Sequence, residues 1–342
     1  MRTPSAHNAA PCVAAHGMMM KPARNWLLAL AAGGVLMGVA VIFTMPPEFA
    51  VPKPGAIVVT GAASGIGRHV VQRLAKELPE HTIYGIVRRE ADAAGVTALG
   101  GNGDNVRALV ADLTDRPSLV AAMRVVADAG RPVVGLFDAA GLPAPNVPVE
   151  HLDVDTLRQV YEVDVFGLVN LVQVVLPLMK RACPTCDKAA TGSRICFLGS
   201  VTGAITPSFM GADAPRSIET IADALRREVR PTGIAVSVIQ AGFIQSPIIK
   251  KIHIVDQALQ ESLQANTNIA EMYPGLALKD FEKQMPFEKM GPLTAVSDAV
   301  LHAFSATRPQ IRYVVGTTPV LPARLLVPLM HVLPHHIIDL LE

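Results

Sequence analysis

The chain has 342 residues, a formal net charge of +1, and 17% charged against 50% hydrophobic residues. That length admits one large domain or two small ones, and the missing basic surplus argues against a nucleic-acid partner. The four cysteines give no disulfide framework and no metal set, because Cys183-Pro-Thr-Cys186 lacks the second ligand pair that zinc requires.

Residues 1–25 carry Arg2, Lys21 and Arg24 and no acid, and read as a disordered tail. A transit peptide has a similar composition. From Trp26 to Met45 the chain runs W-L-L-A-L-A-A-G-G-V-L-M-G-V-A-V-I-F-T-M without a charge. About 20 apolar residues carry a helix across a bilayer, so 26–45 is expected to be a single transmembrane helix. A signal peptide has a shorter apolar core and a small-residue cleavage site. Lys21 and Arg24 before the span, against Lys53 after it, favour a cytosolic N-terminus and a folded domain in a lumen. In a lumen the Cys183–Cys186 loop could close a local disulfide; otherwise it is inert. Pro46, Pro47, Pro52 and Pro54 make 46–54 a stiff linker.

Strand-like and helix-like runs then alternate, which predicts an α/β domain over 55–342 with a single doubly wound parallel sheet of Rossmann type. The strands are expected at Ala56–Thr60, Thr82–Val87, Val106–Ala111, Val133–Asp138, Arg194–Gly199, Ile234–Gln240 and Arg312–Val315. They are short aliphatic runs, as strands covered on both faces should be. Helices are expected at Gly65–Leu78, Pro117–Ala129, Asp153–Arg181 and Arg216–Val229, the last with Ile218, Ile221, Ala222, Leu225 and Val229 on one stripe. The variable segment 250–292 reads as a substrate lid. The apolar segment 320–342 is broken by Pro328, so it is expected to lie on the domain or a membrane surface rather than span.

Thr60-Gly61-x-x-Ser64-Gly65-Ile66-Gly67 falls between the first strand and the first helix. Glycines there let the backbone turn tightly and approach a pyrophosphate, and the helix N-terminus offers it free N–H groups. Thr60, Gly61, Ser64, Gly65, Ile66 and Gly67 are therefore expected to hold a dinucleotide. The second strand ends in Arg88-Arg89, where NAD-binding sheets place an acid. Arginine suits a 2′-phosphate instead. NADP(H) is expected ahead of NAD(H); the alternatives are a solvated arginine pair and a site that no longer binds cofactor.

With these motifs the chain resembles the short-chain dehydrogenase/reductase family from about Pro54 onward, and is similar to its membrane-associated retinoid and steroid branch. The resemblance implies that Asp112 and Leu113 contact adenine. It implies that Asp138-Ala139-Ala140-Gly141 replaces Asn-Asn-Ala-Gly, so that Ala140 and Gly141 line the cofactor. Asp164 stands where the family has a catalytic Asn, Ser200 stands at its catalytic Ser, and Gln240-Ala241-Gly242 stands at its Pro-Gly.

The family's Tyr-x-x-x-Lys pair is missing. Counting from Ser200 puts its members at Asp213 and Ser217; counting back from Ala222–Glu228 puts them at Gly211 and Pro215. Tyr84, Tyr161, Tyr273 and Tyr313 all lack a Lys four residues later. Asp213 could act as an acid if its pKa were raised, with Arg216 supplying charge, but it also reads as a helix N-cap before Pro215. Ser200 then reads as a remnant that caps a strand end. Tyr161 and Tyr273 are the other candidate donors, Tyr161 reading also as a packing residue. No metal site is expected.

Three functions follow. One is a membrane-anchored, divergent NADP(H) oxidoreductase of a lipid-like alcohol or carbonyl. The second is a catalytically silent member that binds dinucleotide or lipid as a sensor or partner. The third is a structural membrane protein. A homodimer through helices 153–181 and 216–230 is the expected assembly.

Overall fold

Seven short aliphatic runs become the strands of one parallel sheet, in the order β3-β2-β1-β4-β5-β6-β7. They are β1 (Ala56–Val59), β2 (Thr82–Val87), β3 (Val106–Val110), β4 (Val133–Asp138), β5 (Arg194–Ser200), β6 (Ala235–Ala241) and β7 (Arg312–Val315). Every pairing is parallel. The computed structural model describes residues 47–181, 192–204, 214–251, 286–318 and 322–332. The predicted span 26–45, the Cys183–Cys186 loop, Asp213, Tyr273 and most of the predicted lid lie outside the described residues.

The described helices are α1 (Gly65–Glu77), α2 (Glu90–Thr97), α3 (Arg116–Asp128), α4 (Val154–Tyr161), α5 (Leu168–Arg181), α6 (Pro215–Val229), α7 (Leu293–Ser305) and α8 (Ala323–Val332). Alternation along each strand sends side chains to opposite faces. Ala56 and Val58 of β1 join Leu119 of α3, Leu171 of α5 and Leu225 of α6 in one core layer. Ile57 and Val59 join Val71 and Leu74 of α1 and Val300 and Phe304 of α7 in the other. Both faces are covered, so β1, β2, β4 and β6 are buried throughout and show no polar alternation.

Two expectations are corrected. The helix predicted over 153–181 is interrupted by a π-helical turn at Glu162–Gly167. One helix among the described residues, Val154–Arg181 taken whole, is long and apolar enough to cross a membrane. Its residues Leu168, Leu171, Val172, Val175 and Met179 pack on the sheet. At α6 the N-cap position falls on Ala214, not Asp213, because Pro215 with its preset φ takes the first helical position.

The proline-rich stretch bonds to the domain through Phe49 and Ala50. Arg194, 1% exposed, donates to Ala50 O at 2.8 Å, Ala303 O at 3.0 Å and Ala306 O at 2.9 Å, and also to Gly192 O. Its guanidinium lies 5.7 Å from the Phe49 ring centroid, and Phe49 N donates to Thr307 O. A desolvated cation needs all its donors filled, so the carbonyls of the stretch are recruited into the domain. Burial pulls the Arg194 pKa down to about 10.

Candidate active site

The strand order turns from β2 to β4 on either side of β1, so a crevice opens beyond the carboxyl ends of β1 and β4. The glycine loop enters it directly from β1. Gly61 has φ +63° and Gly65 φ +56°, conformations that other residues adopt only with strain. A Cβ on Gly61 would meet Ala139 O at 2.6 Å, and one on Gly65 would meet Ser246 Oγ at 2.8 Å. Gly67 is buried against the same loop, Ile66 is half-buried, and Ser64, the N-cap of α1, is exposed with no side-chain cap bond. The loop is therefore bare backbone at the start of a helix, which is the chemistry a phosphate needs.

Thr60 and Asp138 close the floor of the crevice. The Thr60 hydroxyl donates to Asp138 Oδ1, and Thr60 Oγ1 accepts from Ala139 N at 3.1 Å and Ala140 N at 3.2 Å. Thr60 is 0% and Asp138 5% exposed. Burial pushes the Asp138 pKa up to about 6, against the hydrogen bonds from Thr60 and Ala140 N, which lower it.

On the far wall, the π-turn brings Asp164 to the loop after β4. Its Oδ1 accepts from Leu142 N at 2.9 Å, and a Cβ on Gly141 would lie 3.4 Å from Oδ2. An extra residue in a helix re-aims side chains, and such turns occur often at functional sites. Asp112, at the end of β3, accepts from Thr114 N and Thr114 Oγ1. Leu113 is 7% exposed and its carbonyl accepts from Asn170 Nδ2. Arg88 and Arg89 are both exposed after β2, but Arg89 is taken by Asp92 at 2.8 Å and 3.0 Å. Arg88 makes no side-chain hydrogen bond or ion pair among the described residues.

Ser200 ends β5, and its Oγ accepts from Thr202 N at 3.1 Å, as a strand-end cap would. Arg216 donates to Ala204 O, tying the start of α6 to the turn after Ser200. Tyr161 lines a groove of about 440 Å³ on α4 with Leu157, Arg158, Glu162 and Phe166, and is not among the residues gathered at the crevice. Tyr84 is buried in β2, and the Tyr313 hydroxyl is engaged by His302 Nδ1 and Gln310 N.

Sequence reasoning missed two features. Ser246, 4% exposed, packs on Gly65; its position four residues beyond Gly242 was the available signal. The second lies beneath the Ser200 turn. Glu219 accepts from Gln240 Nε2 at 3.0 Å and from Arg312 Nε at 2.9 Å, and Arg312 also holds Asp223 at 3.0 Å. A charge inside the apolar stripe of α6 was the only hint of that network.

This geometry has a match. The family model for short chain dehydrogenase covers residues 55–255. The chain belongs to the short-chain dehydrogenase/reductase family. It is 32% identical to the NADPH-dependent 3-dehydrocapnine reductase of Ornithobacterium rhinotracheale, over 76% of this chain and 87% of that protein. It is 24% identical to human retinol dehydrogenase 16, over 83% of this chain and 86% of that protein. The fold is shared with a short-chain type dehydrogenase/reductase from Mycobacterium ulcerans, with a TM-score of 0.60 and 19% identity over 78% of this chain and 89% of that one.

Within this short-chain dehydrogenase/reductase the described residues collect Thr60, Gly61, Gly65, Gly67, Ala140, Gly141, Asp138 and Asp164 at one crevice. The phosphate side fits a dinucleotide: two left-handed glycines, an uncapped helix start and no room for a Cβ.

Proposed function

We propose that the protein is a membrane-anchored oxidoreductase that uses NADP(H) on a lipid-like alcohol or carbonyl through a divergent active site. The carrying observation is the glycine loop with its two left-handed glycines at the start of α1, beside a sequence in which no Tyr is followed four residues on by Lys. Bound in the crevice, the nicotinamide would give or take a hydride at a carbonyl carbon. Gly61, Gly65 and the start of α1 would hold the pyrophosphate, Asp112 and Leu113 would flank adenine, and Arg88 would meet the 2′-phosphate. NADP(H) rather than NAD(H) is favoured by Arg88 and by the NADPH dependence of the O. rhinotracheale relative. A lipid-like substrate is suggested by the retinol dehydrogenase and by the human 17-beta-hydroxysteroid dehydrogenase type 6, 24% identical over 76% of this chain. Residues 26–45 form the single span, with the domain on the lumenal side and paired through helices 153–181 and 216–230.

Ser200 can orient a substrate oxygen, but no Tyr with a Lys four residues on stands anywhere in the chain to protonate it. General acid catalysis is worth about 10²–10⁴-fold, so turnover should run at least about a hundredfold below that of a member with the pair. The same loss favours a second reading, a silent protein that binds dinucleotide or lipid as a sensor. Oxidation of NADPH by the detergent-solubilised chain, over a panel of retinoid, steroid and fatty carbonyls, separates the two. Slow, substrate-specific oxidation supports the enzyme, with Asp213 and Tyr273 the first donors to mutate. Saturable NADPH binding with no turnover on any carbonyl supports the sensor.

A further inference from the structure

We propose that dinucleotide binding in this crevice takes up a proton at Asp138, so that affinity falls as pH rises. The inference rests on the reading that the crevice holds a dinucleotide. Three observations carry it. Asp138 is buried at the carboxyl end of β4, and the strand pairing sets it beside Phe197 of β5. The groups facing it are the Thr60 hydroxyl from β1 and the N–H of Ala140 on its own loop. No cation pairs with it among the described residues, and the carboxylate that reaches this loop from the π-turn, Asp164, accepts from Leu142 N. Finally, the phosphate loop rests on this same turn. Gly61 directly follows Thr60 and packs on the backbone of the turn after Asp138, where an added Cβ would meet Ala139 O at 2.6 Å.

An ionised Asp138 therefore sits one residue beneath the loop that would carry a pyrophosphate. A buried carboxylate repels an anion held on that loop, with less screening than two charges in bulk water. A protonated carboxyl keeps its place in the clasp without that repulsion. Because Asp138 already titrates near pH 6 without ligand, a bound anion would raise it further, and binding and protonation then favour each other. A neutral Asn at this position would bind without the proton.

The test is calorimetric titration of the full-length protein in detergent with NADPH and with NADH, at about pH 5.5, 6.5 and 7.5. Two buffers of different ionisation enthalpy count the protons taken up. NADH controls for titration of the 2′-phosphate. The expected result is net proton uptake above about pH 6 and an affinity for either cofactor that weakens by up to about tenfold per pH unit. Asp138→Asn should bind with a flat profile over the same range. Binding by the unmodified chain with no proton uptake, or an equal slope in Asp138→Asn, overturns the proposal. Failure of both cofactors to bind at every pH overturns the dinucleotide reading itself, so the two failures are distinguishable.

Discussion

The hydroxyl of Thr60 donates to the carboxylate of Asp138 across the crevice, joining β1 to β4 through two side chains 78 residues apart. Thr60 also accepts the N–H groups of Ala139 and Ala140, so one hydroxyl fixes the turn on which Gly61 rests. The bond secures the glycine loop, yet it leaves a carboxylate buried without a cation among the described residues.

That burial has a measurable consequence for stability. Asp138 is held near pKa 6, above its ordinary 3.8, so folding favours its protonated form. Its contribution is complete at low pH and is lost as pH rises through about 6. Asp138→Asn carries no charge and should be more stable than the parent at about pH 7.5, by up to about 3 kcal/mol. The gap should close towards about pH 4. Thermal unfolding of both proteins across that range checks it; a gap that does not change with pH refutes the assignment.

Gly65→Val should abolish the thermal shift given by NADPH. Valine at φ +56° is strained by about 1–2 kcal/mol, and its side chain would press on Ser246. A variant that remains folded by circular dichroism and still shows the parent's shift would show that the glycine loop does not hold the phosphates.

The sheet was legible because its strands are buried on both faces: Ala56–Val59 is an aliphatic run between Gly55 and Thr60, and Ile83–Val87 and Val236–Ile239 are broken only by Tyr84, Gly85 and Ser237. Residues 90–97 were not read as a helix because only Val96 of that segment is buried, leaving no stripe to see. The glycine loop was legible from its local pattern. The π-turn was not, because Asp153–Arg181 keeps helical periodicity through the break. Nor were the partners of Glu219, since Arg312 lies 93 residues away and pairing at that range leaves no trace in local pattern. Asp138 was visible as a departure from Asn, but its lack of a cation among the described residues became apparent only in three dimensions.

Arg312→Met should destabilise the domain by about 3 kcal/mol, the lower end for a broken buried pair because the Arg312 side chain is 33% exposed. It strands Glu219, which is 7% exposed, without its cation. Urea unfolding should show this loss largely relieved in the Glu219→Gln, Arg312→Met double variant, where the buried charge is gone. Equal losses in the single and double variants would mean that the pair carries no coupling.

Removing residues 1–45 should leave the stability of the domain unchanged, whereas removing 1–51 should lower it by about 2 kcal/mol or more. The longer deletion takes away Ala50 O and the Phe49 ring from Arg194. Identical melting temperatures for the two truncations would show that the docked stretch contributes nothing. Cofactor assays on a soluble form should accordingly begin no later than Pro46.

The most direct measurement is a paired NADPH and NADH titration of the intact protein, repeated on Arg88→Ala. Saturable binding is expected for both cofactors, about tenfold tighter for NADPH, from a charge-assisted contact to the 2′-phosphate. Arg88→Ala should bring the two affinities together and leave that for NADH unchanged, since Arg89 stays with Asp92. Absence of saturation by either cofactor at millimolar concentration would contradict the reading of this crevice as a working dinucleotide site.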